Sequence, residues 1–191
     1  MKATIFRGSK TPVLAIVAAA AFLLSAAVPA LAGNTVTQEV TCPTSGRTAS
    51  LSDLSLANIV YAGTDQVRPG TVALAAADLT CTGNGWNVTV LASSFSYSGT
   101  GSDPVLTAAN LALTSAAVPA VVSGQGINPT KGPKVVTTSG ALDTGRKVIQ
   151  AQTNAGQGSY SQALGLSLTI PAYSPAGTYT TTITSTITAG P

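Results

Sequence analysis

Residues 79–95 read LTCTGNGWNVTVLASSF. This stretch holds the only tryptophan of the chain, Trp86, and one of its two cysteines, Cys81. A glycine-bearing turn separates them and an alternating run follows. Trp86, Val88 and Val90 fall on one side, Asn87 and Thr89 on the other. Apolar and polar residues in strict alternation mark a strand with one buried face.

Working outward, the same period recurs. NTVTQEVT (34–41) alternates, with Val36 and Val40 on one side. LSDLSLANIVYAG (51–63) reads as one or two strands ending at Gly63, RPGT (68–71) as a turn and TVALAAADLT (71–80) as a strand. PVLTAANLALTSA (104–116) is ambiguous between strand and short helix. KVVTTS and RKVIQA flank the turn-prone GALDTG (140–145). SYSQALGLSLTIP (159–171) places Leu164, Leu166, Leu168 and Ile170 at period two. TYTTTITSTIT (178–188) reads as one strand, with Tyr179, Ile183 and Ile187 on one face and Thr180, Thr182, Thr184 and Thr186 on the other. Short strands between Gly, Pro, Asn and Ser turns predict an all-β fold, an antiparallel β-sandwich in a single domain. The Gly- and Pro-rich region at 117–134 breaks the pattern. It reads as a plain connector or as a long binding loop across one end of the sandwich.

The N-terminus predicts the compartment. Lys2, Arg7 and Lys10 precede an uncharged apolar run that closes on Ala30-Leu31-Ala32. These are the parts of a cleaved signal peptide over 1–32, with the mature domain at 33–191. Three of the nine basic residues leave with the leader, and the remaining six balance six acidic ones. The basic residues form no patch with interleaved aromatics, which argues against a nucleic-acid partner. After the leader, no apolar run is long enough for a membrane span, and STITAGP carries no sorting signal. In an exported chain, Cys42 and Cys81 are expected to pair. Their bridge would close a loop of about 40 residues, worth roughly 4 kcal/mol in the chain-entropy model.

Catalysis finds little support. The chain has no histidine, which removes the commonest general base. Lys131, Lys134 and Lys147 sit in no S-x-x-K arrangement. Carboxylates are scattered, and two thiols without histidine make a poor zinc site. The expectation is a protein without enzymatic activity, metal or cofactor. Trp86 beside Val88 and Val90 reads as a core anchor; the alternative is an exposed platform for a sugar ring.

DLTCTGNGWNVTVLASSF resembles the first signature of the WxL-domain proteins of Gram-positive cell surfaces. That signature runs D-x-x-G-x-G-x-G-W-x-L/V-x-V ahead of a phenylalanine strand. Asp78, Gly83, Gly85, Trp86, Val88, Val90 and Phe95 supply the matching types here. LSLTIPAYSPAGTYTTTITSTITAGP is similar to the family's closing segment, with Leu166, Leu168, Ile170, Pro171, Tyr179, Ile183, Ile187 and Pro191 in place. Ser185 stands where the family's second tryptophan would be, and the cysteine pair is outside the family pattern. The resemblance implies a β-sandwich held noncovalently on the cell wall, extracellular, with peptidoglycan or other surface proteins as partners. Asp78, Gly85, Trp86, Val88, Tyr179, Ile183 and Ile187 would be its structural or wall-binding residues. A second function class remains open at this point. A chain poor in charge, with a Thr-faced strand, would also suit a structural subunit of a surface layer, fibre or matrix.

Overall fold

The computed structural model describes residues 37–43, 45–102, 105–136 and 139–191, so the leader expected at 1–32 lies outside it. Within Thr41–Pro191, the larger compact unit, the described residues form twelve strands. These are β1 (Arg47–Leu51), β2 (Gln66–Asp78), β3 (Trp86–Ala92), β4 (Ser96–Gly99), β5 (Leu111–Ala116) and β6 (Ala120–Gly124). They continue as β7 (Lys134–Val135), β8 (Gly140–Ala141), β9 (Arg146–Ala151), β10 (Gly158–Ile170), β11 (Gly177–Thr180) and β12 (Ile183–Ala189). One sheet runs β1-β2-β10-β5-β8, with β6 pairing the first half of β10 beside β5. A second runs β12-β3-β9-β7, and β11 pairs β4 in a two-stranded ribbon. Every pairing is antiparallel. The fold is the all-β sandwich that the alternation predicts.

The core lies between the two larger sheets. Val72, Leu74 and Ala76 of β2 and Tyr160, Leu164 and Leu166 of β10 face Trp86, Val88 and Val90 of β3. Trp86 is 0% exposed. Its indole N–H donates to the Gly156 carbonyl at 2.7 Å, so the one polar atom of the ring is satisfied inside the core. Gly156 has φ +76°, and a Cβ there would stand 2.8 Å from the indole nitrogen. Backbone conformation and space both demand glycine at that position. Gly85 (φ +71°) turns the chain into β3, and its carbonyl accepts from Gly190 N–H at 3.1 Å.

Two irregularities shape the interior. On β9 the register against β3 skips Val148, a bulge that leaves both Val148 and Ile149 buried in sequence. Gln162, inward on β10 and 3% exposed, donates from its amide to Ala117 O at 2.9 Å and Val148 O at 3.3 Å. The bulged strand thus meets a polar tie from the opposite sheet.

Five local expectations are corrected. Residues 37–41 form no strand, and Cys42 lies in irregular chain before β1. The strand expected through 51–63 stops at Leu51, and 52–62 runs on without pairing in a regular strand. Arg68-Pro69-Gly70 is no turn but the middle of β2. Ala73, of the same parity as Pro69, aims its N–H and C=O at Ser52, away from β10. Pro69 therefore points its missing donor at the side of β2 that β1, paired only with Leu74–Asp78, leaves open. The region at 117–134 is not a bare connector, since it carries β6 and an Asn128–Gly132 bridge. Finally, 178–188 is two strands in two sheets, broken at Thr181 and Thr182. The ambiguous 104–116 resolves into a 3-10 turn at Ala108–Asn110 followed by β5.

Cys42 and Cys81 form a disulfide, with Cα atoms 6.1 Å apart and a sequence separation of 39. It ties irregular chain ahead of β1 to the turn that launches β3. Exported protein should titrate no thiol after denaturation, and Cys42→Ser should lower stability by about 2–4 kcal/mol. Two thiols in natively exported material would contradict the bridge. Trp86→Ala should cost about 3–5 kcal/mol in denaturant unfolding. Native tryptophan emission should be blue-shifted and shielded from acrylamide; red-shifted, freely quenched emission would contradict the buried indole.

Candidate functional site

Alternation along β2 sends Gln66, Arg68, Gly70, Val72, Leu74, Ala76 and Asp78 to the inward face. Burial is complete at Leu74 and Val72 but only partial at Gly70, Arg68 and Gln66. The facing strands β3 and β12 are 7 residues long, against 13 for β2 and β10. Where the long strands lose that cover, a cleft of about 940 Å³ opens. Arg68, Gln66, Leu168 and Ile170 line it from the long strands. The 51–62 segment, the 174–183 segment, Phe95, Leu106 and Leu111 supply most of the remaining lining.

The walls are held by specific contacts. Gln66 donates from its amide to Val60 O at 2.9 Å, which fixes the 51–62 segment at the head of β2. Asp65 accepts from Ala172 N–H at 2.8 Å, and Tyr173 N–H donates to Ala62 O at 3.2 Å. On the ribbon, Tyr97 and Tyr179 pack with ring centroids 4.9 Å apart. Tyr179 donates to Pro175 O at 2.9 Å. Burial, and after it the neighbouring Tyr97, raises the Tyr179 phenol above its ordinary value.

The sequence-predicted residues divide between core and cleft. Gly85, Trp86 and Val88 are buried away from the cleft. Asp78 is 1% exposed; its Oδ1 accepts from Thr80 N–H at 3.1 Å and Thr80 Oγ at 2.6 Å, and its Oδ2 lies 3.2 Å from Arg47 Nη2. That arrangement shapes the turn carrying Cys81. Tyr179 and Ile183 do line the cleft, whereas Ile187 is half-buried against the core. Ser185 stands opposite Val90 in the β12–β3 register, on the inward face. Asn87, read from alternation as solvent-facing, is 8% exposed and donates to Gly190 O at 2.9 Å, because the C-terminal strand folds over it. Arg68, Tyr61 and the cleft itself were missed. They belong to stretches read as a turn and as strand, and nothing local in the sequence marks them as neighbours.

Among the described residues, no group of three or more His, Cys, Asp or Glu side chains could hold a metal ion. The cleft instead gathers hydroxyls, amides, aromatic rings, the Arg68 guanidinium and the Asp53 carboxylate, groups that recognise a ligand by contact. A β-sandwich with such a cleft has the form of a binding module. The family model for the WxL domain, described as surface cell wall-binding, matches residues 57–191, and the chain belongs to that family. It is thus a cell-surface protein with a wall-binding domain. No curated protein and no solved structure matches the chain.

The core beside Asp78 has a pH signature. Tyr160 packs on Trp86 with ring centroids 5.9 Å apart and donates to Gln125 O at 2.7 Å. Burial, and after it the charge of Asp78, raises its phenol above the ordinary 10.0. The folded state therefore keeps a proton that the unfolded chain releases at high pH. This contribution to stability is complete below about pH 10 and is lost as pH climbs beyond it. Tyr160→Phe should cost about 1 kcal/mol at neutral pH and show a shallower alkaline decline in urea unfolding. An unchanged alkaline slope would contradict this assignment.

Proposed function

We propose that the chain is exported by a cleaved leader at 1–32 and that the domain at 33–191 sits noncovalently on the cell wall, with peptidoglycan as its ligand. The observation that carries this reading is the wall-binding family match joined to an open cleft that takes in Tyr179 and Ile183 of the family-type segment. Trp86 supports the core, so binding falls to the cleft surface. The replacement of the second family tryptophan by Ser185 removes a large inward ring from β12 rather than a cleft residue. On this reading the protein works by binding rather than by catalysis, in keeping with a chain that has no histidine.

A second reading, assembly into a surface layer or fibre, is favoured by one feature. Strand β6 is exposed throughout and presents Val121 and Val122 beside the exposed Val118. Size exclusion and electron microscopy of mature protein would show polymers in that case.

Cosedimentation with cell walls stripped of proteins and accessory polymers tests the leading reading. Folded mature protein should pellet with this bare peptidoglycan. Folded protein that remains in the supernatant contradicts the reading.

A further inference from the structure

The five tyrosines of the chain fall into two groups. Tyr97, Tyr160 and Tyr179 donate to backbone carbonyls of Ala176, Gln125 and Pro175, and their rings are packed. Tyr61 and Tyr173 differ on every count. They are 61% and 67% exposed, and neither hydroxyl has a hydrogen-bond partner among the described residues. Their rings lie together, centroids 6.4 Å apart and tilted by 57°. Tyr61 lines the cleft, and Tyr173 stands beside it over Gly63.

Tyr173 also has φ +62°, a left-handed conformation that side chains other than glycine and asparagine adopt at a cost. A ring that packed into the core would offset that cost by burial; this one is left in water. Arg68 adds a second observation. Its Nε is buried without a partner, and the guanidinium makes no ion pair among the described residues. It lies two residues along β2 from Gln66, whose amide holds the Val60 carbonyl next to Tyr61. That step is about 7 Å along a strand.

We infer that Tyr61 and Tyr173 form an aromatic platform at the mouth of the cleft for the pyranose rings of an acidic glycan, with Arg68 receiving its carboxylate. The apolar C–H face of a sugar ring matches a flat exposed ring, and the exposed Asn58 and Thr64 sit where ring hydroxyls and acetamido groups would need partners. A half-buried guanidinium whose Nε has no partner and which makes no ion pair among the described residues favours an anionic ligand over a neutral one. Peptidoglycan, whose glycan strands bear stem peptides with free carboxylates, fits this chemistry. The inference rests on the wall-binding reading and adds the residues and the ligand's charge.

The test is equilibrium binding of mature protein to stripped peptidoglycan and, separately, to the released accessory polymers. Tyr61→Ala with Tyr173→Gly should weaken binding to peptidoglycan about tenfold. Its melting temperature should hold or rise, since glycine relieves the left-handed position. Arg68→Gln should weaken binding at low salt and flatten its salt dependence. Variants that bind peptidoglycan as tightly as wild type overturn the platform and leave wall binding standing. Binding confined to the accessory polymers overturns peptidoglycan as the source of the glycan. Wild-type protein that binds neither material overturns both readings.

Discussion

The indole of Trp86 fills the space between the two larger sheets, and the rest of the domain is arranged to admit it. A side chain of this size buries a large apolar area in one residue. The chain has few other aromatics with which to build a core. The ring's N–H would be costly if left unbonded there, and the Gly156 carbonyl removes that cost. The requirement propagates. Gly156 must lack a Cβ to let the ring in, and the 152–157 loop must dock on the turn before β3, as Asn154 N–H to Gly83 O does at 2.7 Å.

Around this anchor the electrostatics are spare. The Arg47–Asp78 pair is the ion pair found among the described residues, and it sits at the crossing of β1, β2 and β10 rather than in a cleft. With so few charges, stability rests on apolar alternation and on one covalent tie. The disulfide acts where packing is thinnest, on irregular chain before the first strand. In that place it limits the unfolded ensemble more than it adds contacts to the folded one.

The same economy separates stability from binding. The glycine-tryptophan segment builds the centre of the sandwich. The cleft arises elsewhere, from strands of unequal length and from the two segments that cover the gap. On the proposed reading, substitutions in the motif would act on binding through unfolding, whereas the rim can vary without disturbing the core. A Ser at 185 fits this separation, because the position faces Val90 inside the sandwich and leaves the cleft intact.

The sequence by itself determined the class of fold, since period-two alternation leaves a strand one buried face whatever its partners. It also carried the inward placement of Trp86, Val88, Val90 and the Leu164–Leu168 series, and the pairing of the two cysteines. The tertiary structure alone decided which strands pair, and that changed several local readings. Pro69 and Gly70 look like a turn until the open side of β2 accommodates a missing donor. Tyr179 and Ile183 look like one face of one strand until the chain switches sheets between them. Asn87 looks exposed until the C-terminus covers it. Tyr61, Arg68 and Tyr173 lie on two separate stretches of sequence, and alternation along each says nothing about the other. Tyr61 packs on Tyr173, and Arg68 lines the same cleft as Tyr61, where β2 and β10 pair over their whole length and overhang the shorter sheet, and that is a property of register, which local sequence does not encode.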